Sequence, residues 1–425
     1  MGSKRLKLYG VAIAAIVICV AGVLFVKPPT GQPGKLPVGS GVPVVAVGAK
    51  HGVVIASDGS LWTWGENNSG WPVLGLGNIK TQLCLGQIGN DTNWRSIAAG
   101  WYHNLAIKSD GTLWGWGENI YGQLGDGTRT DMRNTPGSSI SGNDWKQAVV
   151  GGSHSLALKK DGTLWAWGNN WAGQLGLGIT NPVVAQPTQV GSATNWVKVW
   201  AGLLESVALQ SDGSLWFWGD NPDPTIPQSG PQSKNIFAPT RVSPETNWVD
   251  VGFGPWTVLA IKSDGSLWSW GRQAFLFTGV RDMTLNAAPA RVGTNTDWLA
   301  ISPNGWLYQI LLKKDGSLWA LHASHPQAGR ARPLSQLTRL ELKHDVVAFA
   351  GGGTRAFGVV LTPDGEVWTW GRVLGKDVPE RRMLQYLAKL LRRVGIKVEW
   401  GEAEPTMRNK PWQLPVCPPV APSSE

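Results

Sequence analysis

Seven Asp-Gly pairs recur in register along this chain of 425 residues. They begin at Asp58, Asp110, Asp161, Asp212, Asp264, Asp315 and Asp364, at intervals of 52, 51, 51, 52, 51 and 49 residues. A period this regular means that one supersecondary unit is repeated. Each pair is followed by the same kind of string: SLWTWG, TLWGWG, TLWAWG, SLWFWG, SLWSWG, SLWALH and EVWTWG. Asp-Gly between two apolar runs predicts a two-residue hairpin of type I′, whose two central residues both take positive φ. Leu-Trp-x-Trp alternates with period two, which puts both tryptophans on one face of a strand. Trp94, Trp145, Trp196, Trp248 and Trp298 mark a second recurring site upstream of these pairs, each beginning a short apolar stretch.

The unit therefore reads as four short antiparallel strands. In one copy these lie near Arg95–Ala99, Asn104–Lys108, Thr112–Trp116 and around Pro136, which is matched at Pro187, Pro239, Pro289 and Pro333. Seven such units of about 51 residues predict an all-β fold, a seven-bladed β-propeller spanning residues 43–416. Residues 410–414 look like a fourth strand and Val44–Val47 like a first. Laying the last strand beside the first is the expected ring closure, hiding the sheet edges.

Before the repeats, Leu8 to Val26 is a run of 19 residues without a charge, preceded by Lys4, Arg5 and Lys7 and followed by Lys27. As a helix it spans roughly 28 Å, close to a bilayer core of about 30 Å. Residues 1–26 are read as a cytoplasmic tail and signal-anchor transmembrane helix, with the remainder exported. A cleaved signal peptide is the rival reading, and both export the body. Residues 27–42 read as a stiff Pro/Gly linker and residues 417–425 as a tail. Cys84 and Cys417 would both be exported, and whether they pair stays open.

The formal charge of +9 divides unevenly. Residues 1–35 carry five lysines or arginines and no acid, residues 377–397 carry six against two acids, and everything else is neutral. A nucleic-acid binder places basic charge on its main body, so nucleic acid is not an expected partner. Within the last repeat, residues 377–395 predict a basic helical insertion. Asp377 and Glu380 have capping-box spacing, and Met383, Leu387, Leu390, Leu391 and Val394 form one stripe among Arg381, Arg382, Arg392 and Arg393.

The strings GxxHxLALKxDGTLWxWGxNxxGQLGxG, nearly complete in residues 100–127 and 151–178, resemble the regulator of chromosome condensation repeat family, in its exported, alpha-tubulin suppressor-like form. The resemblance covers residues 43–416. The fourth repeat departs from it with DNPDPTIPQSG in place of Gly-Gln-Leu-Gly, and the sixth has Leu321 where the second tryptophan is expected. The family includes a light sensor, but the sparse repeat-linked arginines here do not suit that role.

Of the 26 tryptophans, those of the two repeated sites are expected to pack between blades, each removing about 150–250 Å² from water. Others fall on loops. In an antiparallel meander, the turn joining strands one and two shares an end with the loop joining strands three and four. Trp101, Tyr102, Trp256 and Trp306 of the first turns, and Trp71, Tyr121 and Trp171 of the longer loops, should therefore gather on one face of the disc, opposite the Asp-Gly turns. Aromatic side chains on loops of a rigid scaffold can make a binding hot spot. Local packing is the competing reading.

His51, His103 and His154 share one repeat position, which suits structural hydrogen bonding better than catalysis. His322, His325 and His344 have no metal-ligand spacing. No nucleophile elbow, phosphate loop or calcium loop is present. No catalytic, metal or cofactor site is expected. The sequence thus predicts a membrane-anchored, exported, non-catalytic propeller, monomeric and binding an unidentified protein. Trp71, Trp101, Tyr102, Tyr121, Trp171, Trp256, Trp306, Arg381, Arg382, Arg392 and Arg393 are its candidate contacts. The alternatives are guanine nucleotide exchange on a small GTPase, which the resemblance implies and export opposes, inhibition of an extracytoplasmic enzyme, and glycan binding.

Overall fold

Seven four-stranded antiparallel sheets follow one another along the chain, each a meander whose strand order in space is its order in sequence. The computed structural model describes residues 35–67, 71–79, 81–129, 132–220, 235–254, 257–271, 288–303, 308–322, 337–342, 345–352, 357–371, 412–414, 416 and 417. The expected transmembrane helix (8–26) and basic helix (377–395) lie outside these residues. Blade 2 shows the unit, with strands Trp94–Ala99, His103–Lys108, Leu113–Gly117 and Arg133–Ile140. Blade 1 runs from Val44 to Gln87, blade 3 from Trp145 to Gln189, blade 4 from Trp196 to Arg241, blade 5 from Trp248 to Arg291, blade 6 from Trp298 to Arg339 and blade 7 from Ala348 to Gln413. These sheets form a seven-bladed β-propeller.

The Asp-Gly turn differs from the type I′ expectation. The loop holds three residues, as in Ser109-Asp110-Gly111. Gly111 N–H donates to the Lys108 carbonyl at 2.9 Å, and Lys108 N–H donates to the Thr112 carbonyl at 3.1 Å. Only the glycine needs positive φ, +86° at Gly111, so this is a type I turn followed by a left-handed residue. The aspartate carboxylate instead accepts from the next-but-one residue, from Thr112 N–H at 2.9 Å and Thr112 Oγ1 at 2.7 Å. Thr112 Oγ1 in turn accepts from Trp114 Nε1 at 3.0 Å. The same relay recurs through Ser60, Thr163, Ser214, Ser266 and Ser317.

Apolar burial lies between blades. Trp64, Trp116, Trp167, Trp218 and Trp270, each the second tryptophan of its string, are buried. Trp167 packs with Leu105, Ile107 and Leu113 of blade 2 and with Trp145 of its own blade. Fully burying such a ring stabilises by a few kcal/mol, about 25 cal/mol per Å² of apolar area. In blade 6, Leu321 takes the place and is buried with Trp298 and Leu259. The strand-one and first string tryptophans hold a lysine in four blades. Lys108 Nζ lies 4.7 Å and 3.8 Å from the rings of Trp94 and Trp114 and 2.8 Å from Asp91. Lys159, Lys262 and Lys313 repeat the arrangement.

The ring does not close by laying the last strand beside the first. Trp412–Gln413 pairs with Val367–Gly371 inside blade 7, and blade 1 is complete in itself. The described strands run from an innermost one, Val44–Val47, to an outermost one, Trp412–Gln413, so no sheet needs strands from both ends. Closure is by packing of blade 1 against blade 7, which share a core of Val45, Val47, Trp64, Val359, Leu361 and Leu414. A disulfide joins Cys84 in the outer strand of blade 1 to Cys417, with Cα atoms 5.3 Å apart. Leu85 and Val416 form a parallel bridge beside it.

The last part of the expected linker belongs to the ring. Leu36 is buried in the same core, and its N–H donates to Gly365 O of the blade 7 turn at 2.8 Å. In other seams the strand-one tryptophan makes this bond, as Trp94 N–H does to Gly59 O at 3.1 Å. Lys35 pairs with Asp364 and, at 3.6 Å, with Glu366.

Candidate functional site

The end of the disc opposite the Asp-Gly turns carries the first turns and the longer loops, as the meander requires. Glu118 N–H donates to Tyr102 O at 2.8 Å and Asn169 N–H to Ser153 O at 2.9 Å, tying the two kinds of loop together. The structure brings three of the expected aromatics into one cluster. The Tyr102 ring lies 6.2 Å from Trp71 of blade 1 and 5.9 Å from Trp101. All three are half-buried. Tyr121 is half-buried, with its N–H bonded to Gln123 Oε1 at 2.9 Å. Trp171 stands alone with 67% of its surface exposed. Among the described residues, no ring contact joins either of these two to the cluster. Trp256, Trp306, Arg381, Arg382, Arg392 and Arg393 lie outside the described residues.

Trp101 also borders a shallow depression on the ring axis, with apolar walls from Val47, Val150, Leu203 and Phe253. Its cavity volume is about 30 Å³, room for roughly two waters. Glycines at positions 48, 100, 151 and 202 form the rest of the wall. Their N–H groups are consumed by the carbonyls of His51, His103, His154 and Glu205 respectively. Nothing on this scale suits a cofactor. An apolar side chain from a partner fits it better.

Beneath this end runs a set of polar clamps that the sequence only partly revealed. His103 Nε2 lies 2.9 Å from Ser155 Oγ of blade 3, and Ser155 Oγ donates to the Gln123 carbonyl at 2.8 Å. Gln123 O also accepts from Trp167 Nε1 at 2.9 Å. Since the serine spends its proton on Gln123, it accepts from His103, which fixes the Nε2–H tautomer. His154, Ser206, Gln174 and Trp218 repeat the clamp, and His51, Asn104, Val73 and Trp116 vary it. The Gly-Gln-Leu-Gly string is thus a seat for the next blade. A Cβ on Gly125 or Gly176 would come within 2.8 Å or 2.7 Å of the incoming indole nitrogen. The three histidines do hydrogen-bond the neighbouring blade, as their repetition suggested. Burial pushes His51 down to about 4, and His103 and His154 down to about 3.

Two carboxyl groups at the same end were missed in sequence. Glu118, 3% exposed, is raised to about 7 by burial, partly offset by its bond from Gln123 Nε2 at 2.9 Å. Glu205 takes the place of the histidine in blade 4. Burial foremost, with Asp220 adding to it, raises Glu205 to about 7. The signal available was position: Glu205 follows His51, His103 and His154 in repeat register.

Among the described residues, no group of three or more His, Cys, Asp or Glu is placed to hold a metal. Residues 44–70, 94–123 and 145–174 match one family model, and residues 58–107, 110–158 and 161–209 a second, both described as the regulator of chromosome condensation (RCC1) repeat. The ultraviolet-B receptor UVR8 of Arabidopsis thaliana is 29% identical over 357 residues, 77% of this chain and 76% of its own. A human protein described as a probable E3 ubiquitin-protein ligase, HERC6, is 33% identical over 207 residues, 45% of this chain and only 20% of its own length. Prp20p of Saccharomyces cerevisiae, whose crystal structure is titled with its binding properties to Gsp1p and histones, shares the fold. Its TM-score is 0.61 at 19% identity over 81% of this chain and 85% of its own. With these matches joined to seven in-register blades, the chain belongs to the regulator of chromosome condensation (RCC1) repeat family.

Proposed function

We propose that this propeller is a protein-binding module, tethered to a membrane by residues 8–26, exported, and without catalytic activity of its own. The observation that carries the reading is the cluster of Trp71, Trp101 and Tyr102, left half-exposed beside the axial depression. Aromatics held by a rigid ring lose little entropy on binding and supply most of the energy of a typical hot spot. Trp171, 67% exposed on the same end, extends the surface. Prp20p, titled for its binding to Gsp1p and histones, supports the use of such a ring for protein partners. The Cys84–Cys417 disulfide supports export, because such bonds persist in oxidising compartments.

The test is a pull-down from an extracytoplasmic extract with the full chain, in mild detergent, as bait. A parallel bait carries Trp71→Ala, Trp101→Ala and Trp171→Ala, with circular dichroism showing that it folds. A protein retained by the first and lost from the second supports the reading. Equal retention by both baits, or a partner found only in the cytosol, overturns it.

A further inference from the structure

The opposite end of the disc carries a patch of its own. Each blade's innermost strand starts at the Asp-Gly end, as the bonds from Trp94, Trp145, Trp196 and Trp298 N–H to the preceding turn glycines show. The residue just after that start faces solvent. In blades 4, 5 and 6 it is Val197, Val249 and Leu299, exposed by 37%, 38% and 53%. Val347 of blade 7 is 43% exposed beside its own strand start, and Val38 and Val42, on the segment that enters blade 1, are 63% and 82% exposed. Blades 2 and 3 place exposed Arg95 and Lys146 there. Arg95 reaches the Lys146 carbonyl at 3.4 Å, so neighbouring blades bring these positions together. Among the described residues, these positions form an apolar arc closed by two cations. Asp144 and Asp297, two residues before Lys146 and Leu299, are engaged by Lys159 and Lys313 at 3.2 Å and 3.0 Å, and exposed Asp345 lies two residues before Val347.

Soluble surfaces scatter their exposed apolar residues, whereas an arc on one face marks something that covers it. The chain's own course identifies the cover. The segment from Lys35 enters the ring at this face, since Gly41 N–H donates to Ser57 O of the blade 1 turn at 2.7 Å and Leu36 to Gly365 of blade 7. Only residues 27–34 separate Lys35 from the uncharged run ending at Val26. At about 3.3–3.6 Å per residue they reach roughly 30 Å at most. We infer that the Asp-Gly end of the propeller rests on the lipid surface, with Val42, Val197, Val249, Leu299 and Val347 at the headgroup boundary and Arg95 and Lys146 on lipid phosphates. Apolar residues flanked by Lys and Arg are the composition that lies in a membrane interface. A short tether makes the contact intramolecular, so a face too weak to bind vesicles from solution is still held down. The turn aspartates stand further from the axis; six are engaged by the Ser or Thr two residues on, and Asp364 by Thr362 and Lys35. The aromatic end then faces away from the membrane, open to a partner.

This inference rests on the membrane-tether reading, and its test separates the two. The full chain, with labelled Ile, Leu and Val methyl groups, is placed in phosphatidylcholine nanodiscs containing a gadolinium-headgroup lipid. Methyl relaxation is then read by NMR. Val197, Val249, Leu299 and Val347 should relax severalfold faster than Ile120 and Ile179, which are exposed on the opposite end. Val249→Asp with Leu299→Asp should bring the two ends level, and the milder Val249→Gln with Leu299→Gln should narrow the gap. Equal relaxation of both ends in the unaltered chain, or faster relaxation of Ile120 and Ile179, overturns the inference and leaves the tether standing. Chain recovered free of the nanodiscs overturns the tether and the inference together.

Discussion

The seams joining blades 1 to 4 and those joining blades 4 to 7 solve one packing problem differently. In the first three seams, an imidazole from one blade and an indole from the next converge on a loop carbonyl through an Asn or Ser. In the others the imidazole is replaced by Glu205, Thr257 or Tyr308, and the receiving residue by Val258, Gln309 or Gly358. Valine and glycine side chains have no hydrogen-bonding group, so the clamp is lost where they stand. Those seams lean on apolar fill, such as Phe253 and Trp270 packed with Val207 and Trp200. They also use Asp250, which takes Lys198 Nζ of blade 4 at 2.6 Å and Ile301 N–H of blade 6 at 2.8 Å. The comparison teaches that apolar burial holds the ring and that the clamps fix how blades meet.

The change expected to cost most is at a clamped seam. Trp167→Ala removes a buried indole and its bond to Gln123, and should cost about 3–5 kcal/mol in urea unfolding. Trp167→Leu should cost less, because Leu321 fills the equivalent place in blade 6. Equal costs would show that the clamp and not the volume matters. At the seam of blades 1 and 7, where a covalent bond joins the apolar fill, Cys84→Ser should remove about 2–4 kcal/mol, since the bond closes a separation of 333 residues.

Acid should reveal the clamped half by its histidines. Their folded pKa values of about 3 to 4 lie below the unfolded value of about 6.5. Stability present above pH 6.5 is therefore lost as pH falls from there toward the folded values. Glu118 and Glu205, at about 7 in the fold, act in the opposite sense. The stability they contribute is complete below their unfolded pKa and is lost as pH rises through 7. Between pH 4.5 and 6.5 these five groups leave the unfolded state about one proton richer, a slope of about 1.4 kcal/mol per pH unit. Glu118→Gln with Glu205→Gln should steepen it to about 4. Urea midpoints across that range decide it, and an unchanged slope would sink the assignment. The smallest effect is Ser155→Ala, which strands His103 Nε2–H and one lone pair of Gln123. It should cost about 1–2 kcal/mol, with no loss of ring closure by circular dichroism.

Much of this was legible in the chain because the turn signal and the tryptophans are local. Asp110, Gly111 and Trp114 report strand position within five residues, so blade number, strand order and the shared end of the aromatic loops followed from spacing. The turn type did not, because Asp-Gly reads alike in two-residue and three-residue loops, and only the Lys108–Thr112 bonds distinguish them. Ring closure was misread because it depends on which faces pack, and Leu36 looks like linker until the missing strand-one tryptophan of blade 1 is noticed. Of the site, Trp71, Trp101 and Tyr102 were expected on one face from topology, together with Tyr121, Trp171, Trp256 and Trp306, and their grouping as three was not. Glu118 and Glu205 were not, since a raised carboxyl is a property of surroundings and not of spacing. Pairing of Cys84 with Cys417 had been left open for the same reason, the two being far apart in sequence.

The relay in the Asp-Gly turn has a consequence for how such a chain is born. Aspartate, Ser or Thr, and indole are linked within five consecutive residues in six of the blades, so each hairpin carries its own instructions for forming. Contacts this close in sequence form early and cost little loop entropy. A growing chain thus meets six separate starting points, none waiting on a distant partner. The repeats depart unequally from the common pattern. Blade 4 lacks the Gly-Gln-Leu-Gly string and blade 6 has Leu321 for the second tryptophan, yet both have the relay at Ser214 and Ser317. A repeat can lack much of the common pattern and still take its place, and blade 7 does so with Glu366 accepting from Trp368 Nε1 at 3.0 Å where the others use Ser or Thr.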